Sequence, residues 1–271
     1  MNTPPPDSNE QSDFPWWLAT LGVIFVIVAI VIITNDLYSQ TIRIVGKGLG
    51  ITVFVTLFGF AFASAIGLVL AVMSLSGSVI MRQVARFYIE VIRGIPILVL
   101  LFYIAFVGAP AIVWLWNSIT SPLVDAGWIN AMTIRDLPLF WRAVIALTIG
   151  YSAFIAEVFR AGIQSVDIGQ VEAAKAMGLG RFQRFRLIIM PQAIRTIMPP
   201  LGNDFVAMVK DSSLVSVLGV ADITQMGKVY AAGSFRFFET YSIVAYIYLL
   251  ITVTLSIGLR ALEKKMRAKW L

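Results

Sequence analysis

Asp204 and Asp211 stand seven residues apart within 196–219, a segment otherwise suited to crossing a bilayer. Seven residues is close to two helical turns, so both carboxylates fall on one face of a helix, about two turns apart. An ionisable side chain at the bilayer centre costs about 2.5–3.5 kcal/mol on insertion scales, so such groups face a cavity, water or a counter-charge. Asn203 precedes the first acid, Met208 lies between the two, and Lys210, Ser212 and Ser213 flank the second. A wall of two carboxylates attracts a cation, whether an ammonium group or a guanidinium. Asp204, Asp211, Asn203 and Met208 are therefore the candidate substrate-binding residues. The competing account is structural, with Lys210 neutralising Asp211 and Asp204 capping a helix broken at Pro199-Pro200.

Other chemistries are excluded by what the chain lacks. It has no Cys and no His, so disulfides, thiol and imidazole catalysis and Cys/His zinc sites are impossible. No GxxxxGK[ST] loop is present to cradle nucleotide phosphates; Gly46-Lys47 and Gly227-Lys228 lack both the upstream Gly and the following Ser or Thr. No residue is assigned a catalytic or metal-binding role, and no cofactor is expected on this chain.

The elements that must position the acids are membrane helices. Of 271 residues, 59% are hydrophobic and only 13% charged, against about a quarter in a soluble domain. Mean hydropathy is +0.85. Residues 1–15 are polar, Pro-rich and carry three acids without Lys or Arg, the pattern of a disordered tail. Six spans are expected: about 16–33, 49–75, 88–107, 139–158, 196–219 and 240–259. The stretches 108–138 and 220–238 are expected as external connections, the first with short interfacial helices. The first span lacks the basic flank of a signal peptide and is read as retained. The fold class is thus all-α, a polytopic transmembrane helical bundle. Fourteen of the 21 Lys and Arg fall on the side that holds both termini, so both termini are placed in the cytoplasm. The net charge of +6 reports this topology, and nucleic acid is not an expected partner.

The polar segment 159–190 is helical rather than spanning: Val171, Ala174, Met177 and Leu179 mark an apolar stripe between Gly169 and Gly178–Gly180. By pattern alone it either docks to another protein or rests on lipid. Arg93-Gly94-Ile95-Pro96 reads as a structural bend at the entrance to the third span. Glu90 with Arg93, and Glu157 with Arg160, read as local i,i+3 pairs.

EAAKAMG at 172–178, with IIMP ending at Pro191, resembles the signature cytoplasmic loop of binding-protein-dependent ABC importer permeases. Glu172, Ala173, Ala174, Gly178, Ile188 and Pro191 fall in register, and Met190 replaces the usual Leu. YIEVIRGIPILVL at 88–100, AEVFRAGIQSVDIGQVEAA at 156–174, MPQAIRTIMPPLGNDF at 190–205 and KDSSLVSVLGVADI at 210–223 resemble the polar amino acid permeases of the histidine/glutamine/arginine branch. The resemblance covers about 47–267 and implies a five-span permease core, with 16–34 an added N-terminal helix that brings the N-terminus inside. It implies that Glu172, Ala173, Ala174 and Gly178 couple to a separate ATPase, which holds ATP-Mg. It also implies that Asp204 and Asp211 line a cavity midway through the membrane.

The expected function is the transmembrane permease subunit of an ATP-driven importer for polar amino acids, cationic or broad in specificity, and not itself an enzyme. The expected partners are two ATPase subunits, a second permease subunit (identical or paralogous), an extracytoplasmic amino-acid-binding protein, the amino acid and the lipid of a bacterial plasma (inner) membrane. Pairing is expected because six spans are too few to enclose a path. The alternative is an ion-coupled secondary transporter or proton channel using Asp204 and Asp211; no internal repeat of the kind common in that class is visible. A scaffold without transport would need no acids in a span.

Overall fold

The computed structural model describes residues 16–268; the proposed tail 1–15 lies outside the described residues. Its first helix, α1 (Trp16–Thr34), has no charged residue and no fully buried one; a single face that includes Phe25 and Ile32 is partly covered, and the rest of its Val- and Ile-rich surface is turned outward. Asn35 ends it and caps α2 (Asp36–Val45), its side chain accepting from the Leu37 amide at 3.0 Å. A single tight turn, Gly46–Gly48, leads into α3 (Leu49–Ser74). Gly48 is required there because a Cβ would collide with the Asp222 backbone.

The core is built where α3 meets α7 (Leu139–Gln164). Gly59, Ala63 and Gly67 recur every fourth residue on α3, the small-residue spacing that lets membrane helices approach closely. A Cβ at Gly67 would lie 2.9 Å from Ile155 Cγ2 and 3.0 Å from the Ser152 carbonyl oxygen. On α7, Ala143, Ala146, Ala153 and Ala156 are correspondingly buried.

The third span differs from its expected limits. Helix α4 (Val79–Gly94) stops at Ile95, which is extended because Pro96 disfavours a helical residue before it. A new rod then runs from 97 to 125 as α5 (Ile97–Tyr103), a wide turn at Ile104–Gly108 and α6 (Ala109–Asp125). Pro110 does not interrupt it, since the first turn of a helix needs no N–H there. The expected external connection therefore shrinks to about 126–138. Arg142 ties that connection to the wide turn, donating to the carbonyls of Leu137 (2.7 Å), Ile134 (2.6 Å) and Ala105 (3.2 Å). Beside it, the Thr133 amide and hydroxyl both donate to Asp136 Oδ2 and hold that carboxyl below its usual range.

After α7 come the short α8 (Ile168–Ala176) and α9 (Arg181–Arg184); a second wide turn, Phe185–Ile189, joins α9 to α10 (Met190–Asp211). The segment expected as the fifth span thus begins inside a helix that starts at Met190, well before 196. Pro199 and Pro200 sit inside α10 without breaking it, so Asp204 caps no helix end. The tight 3₁₀ turns of Ser212–Leu218 follow and end at Gly219, in the left-handed region (φ 83°). Asp222 caps α11 (Ile223–Ser234), accepting from the Gln225 amide at 2.8 Å, and α12 (Phe237–Ala268) closes the described chain.

Among the described residues, five segments are long and apolar enough to cross a membrane: Trp16–Thr34, Asp36–Ser74, Ile97–Asp125, Leu139–Gln164 and Phe237–Met266. Helix α10 is long enough but carries the polar residues of the candidate site. Helices α1 and α12 run antiparallel, with Phe25 against Tyr246 (5.5 Å between ring centres) and the Arg260 guanidinium over the Trp17 ring (5.8 Å). The start of α1 and the end of α12 therefore lie on the same side.

Candidate functional site

Helix α10 presents Asp204 and Asp211 toward α7. The Tyr151 hydroxyl donates to Asp211 Oδ2 at 2.8 Å, and Tyr151 is buried in the α3–α7 core. Asp211 thus has a neutral partner, and Lys210, exposed on another face, makes no ion pair with it. Asp204 is different. It is half-buried, and its Oδ2 is enclosed with no hydrogen-bond partner. A buried polar atom left unpaired costs roughly 1–3 kcal/mol, more when charged, so an unpartnered carboxylate oxygen marks a place where a donor is expected to arrive.

The other two candidates separate from this pair. Asn203 is exposed and opens onto a different cavity, about 380 Å³ between α10 and α12, with Ser256, Arg260 and Glu263. Met208 is fully buried in the α3–α7–α10 core, its sulfur 3.6 Å from where a Cβ of Gly59 would be. With no exposed surface in the single chain, Met208 packs the helix that carries the acids. Sequence reasoning missed Tyr151. The available signal was a tyrosine in an apolar span, whose hydroxyl needs a partner when buried.

The segment 167–179 has a defined geometry. Asp167 caps α8, accepting from the Gln170 amide at 3.1 Å. At the other end Gly178 adopts a left-handed conformation (φ +81°). The Gly178 amide donates to the Lys175 carbonyl (3.0 Å) and the Leu179 amide to the Ala174 carbonyl (3.1 Å), a Schellman closure of the helix. Val171 and Ala174 face inward as the stripe requires, but Met177 is 81% exposed, because the helix ends at Ala176 and the turn swings it out. Glu172 and Ala173 are exposed, and Glu172 has no hydrogen-bond or ionic partner among the described residues.

This segment is fastened to α10. Gln192 Nε2 donates to Gln170 Oε1 at 2.7 Å, and the Ser165 and Thr196 hydroxyls are 3.2 Å apart. Gly162 and Ile197 touch so closely that any side chain at 162 would displace Ile197. Val166, Ala193 and Ile197 are buried around that crossing, with Val171 of α8 packed on them. The surface at Glu172–Gly178 and the acids at 204 and 211 are therefore carried by one packed unit. From Gln192 to Asp204 is about 18 Å of helix.

Comparison with known proteins identifies the family of the chain. Residues 63–268 match the family described as "Binding-protein-dependent transport system inner membrane component". The chain is 37% identical over 223 residues to the glutamine transport system permease protein GlnP of Escherichia coli (strain K12), covering 82% of this chain and 92% of that one. It is 36% identical over 220 residues to the probable amino-acid permease protein YxeN of Bacillus subtilis (strain 168), covering 81% and 90%. A crystal structure of an amino acid ABC transporter with histidines superposes with a TM-score of 0.70 at 37% identity, covering 84% of this chain and 96% of that one. The chain belongs to the family of binding-protein-dependent transport system inner membrane components, in which its similarity runs through the amino-acid ABC permeases.

Proposed function

We propose that this chain is the subunit that forms the translocation path of an ATP-driven importer for polar amino acids, and that Asp204 receives the substrate's ammonium group. The observation that carries this reading is the enclosed, unpartnered Oδ2 of Asp204, on the helix fastened to α8. Asp211 spends one oxygen on Tyr151, so the wall offers one uncommitted carboxylate rather than two. One free carboxylate matches the α-ammonium that every amino acid carries. Broad polar specificity follows most directly, and a cationic side chain is accommodated only where Asp211 contributes its second oxygen.

In this reading the exposed surface of Glu172, Ala173 and the Gly178 turn seats on a separate ATPase, which holds ATP-Mg. Two ATPase subunits drive two permease subunits, identical or paralogous, and an extracytoplasmic binding protein delivers the amino acid. Both termini are cytoplasmic, in a bacterial inner membrane, and 16–34 is an addition to the permease core at 47–267.

The test is uptake of radiolabelled arginine, histidine, glutamine and glutamate by the reconstituted complex carrying Asp204→Asn. Asn keeps the size and one acceptor but removes the charge-assisted bond, about 1.5–3 kcal/mol, so apparent affinity should fall roughly ten- to a hundredfold. A uniform loss supports ammonium binding, and a loss concentrated on arginine and histidine supports side-chain reading. Unchanged uptake of all four removes Asp204 from the path.

A further inference from the structure

With 3.6 residues per turn, Glu157, Arg160 and Gln164 project from the side of α7 opposite Tyr151 and Gly162, which face α10. Together with Ser74 at the end of α3 and Arg86 and Glu90 on α4, they line an open cavity of about 330 Å³, with Arg86, Glu90 and Gln164 at its exposed rim. Every lining side chain is polar. Four are ionisable, two of each sign, so the lining itself is neutral, with Arg93 close enough to Glu157 to act on its carboxylate from outside.

The charges are not all spent on one another. Arg160 is committed: its Nε lies 3.2 Å from both Glu157 carboxylate oxygens, and its Nη1 donates to Gln164 Oε1 at 2.7 Å. Arg86 and Glu90, one turn apart on α4, have no hydrogen bond or ion pair among the described residues. Their orientation is not a lipid-facing accident. Ile80, Val84, Phe87 and Val91 make an exposed apolar face on α4, Val79 precedes Arg86 on the charged side, and Arg86 and Glu90 border the cavity against α7.

A neutral space with one uncommitted guanidinium and one uncommitted carboxylate suits a ligand that carries both charges side by side. A simple anion would meet two carboxylates there, and a simple cation two guanidiniums. We infer that this cavity binds a free zwitterionic α-amino acid, its carboxylate on Arg86 and its ammonium on Glu90, at the α8 end of α7 and apart from the Asp204 site. The choice of ligand rests on the amino-acid reading above. A bound amino acid bridges α4 to the end of α7, and that end holds Gly162 and Ser165 against α10, so occupancy of the cavity bears on the helix that carries Asp204.

Equilibrium binding tests this, using radiolabelled L-glutamine and the permease–ATPase complex without binding protein. Nanodiscs of phosphatidylcholine and phosphatidylglycerol keep the ammonium headgroup of phosphatidylethanolamine from competing. Wild type should show two components, and Asp204→Asn should retain the one from the cavity. In that background, Arg86→Gln and Glu90→Gln should each weaken the remaining component about ten- to a hundredfold. Arg82→Gln should leave it unchanged, since Arg82 donates to the carbonyls of Ser76 and Gly77 outside the cavity. Co-purification of the ATPase checks that each variant assembles. No saturable binding, a single component abolished by Asp204→Asn, or indifference to both Arg86→Gln and Glu90→Gln overturns the inference. Two components that survive Asp204→Asn unchanged, one of them lost in Arg86→Gln, would instead retain the cavity and remove Asp204 as a binding residue.

Discussion

Replacing Gly178 should uncouple the transporter through the backbone rather than through a collision. A Cβ built at 178 meets nothing within 4 Å, so there is room for a side chain within this chain. The obstacle is φ +81°, where an L-residue is destabilised by about 1–2 kcal/mol. That conformation is what brings the amides of Gly178 and Leu179 onto the last carbonyls of α8. At nine residues α8 is too short to be stable by itself. A loss of 1–2 kcal/mol therefore lowers the population of the closed helix end by roughly five- to thirtyfold. The effect should be graded: Gly178→Asn mildest, because Asn tolerates left-handed backbone, Gly178→Ala intermediate, and the β-branched Gly178→Val most severe. Gly178→Asp should resemble Asn in backbone strain and add a charge on the surface proposed to seat the ATPase. The assay is the ratio of substrate transported to ATP hydrolysed in proteoliposomes with binding protein, alongside the amount of ATPase co-purified. A wild-type ratio in Gly178→Val would refute the assignment of this turn. Equal losses in Asn, Ala and Val would show that the partner's groove, not the backbone, sets the constraint.

Tyr151→Phe removes the hydroxyl donor from Asp211 and should destabilise the protein by about 1–3 kcal/mol, seen as a lower midpoint in thermal unfolding of the purified permease. Gly67→Val places atoms against Ile155 and the Ser152 carbonyl, and overpacking of this kind costs typically 1–3 kcal/mol; it should reduce the folded yield, whereas Gly50→Ala, with open space around it, should not. Trp17 lies beside Arg260, so protease accessibility in oriented vesicles should report the start of α1 and the end of α12 on one side, and that side should be the cytoplasm. Cleavage of the two ends from opposite sides would remove α1 from its place beside α12.

The sequence carried the class of the molecule because that class follows from quantities additive along the chain. Apolar length, the scarcity of charge and the bias of Lys and Arg specify helices in a bilayer without knowledge of any contact. The acids were equally legible, since a carboxylate in an apolar span is conspicuous, and the turn after α8 was announced by Gly178. The limits of the spans were less so. The rod from 97 to 125 was divided wrongly because Gly94-Ile95-Pro96 reads as a bend when it is a break, and because the mixed composition of 108–138 reads as a connection when its first half is helix.

Other features depended on residues distant in sequence that meet only in the folded chain. Tyr151 and Asp211 are 60 positions apart, and no periodicity links them. The same holds for the loss of Asn203 and Met208 from the acid pair. All four share one short stretch of α10, and only the positions of α3, α7 and α12 decide which side chain is enclosed, packed or left open. Helix periodicity places residues on faces, but tertiary packing determines what each face meets. For that reason the sequence named the two carboxylates, while only the fold showed that Asp211 is satisfied by Tyr151 and that Asp204 is the one with an unpaired oxygen.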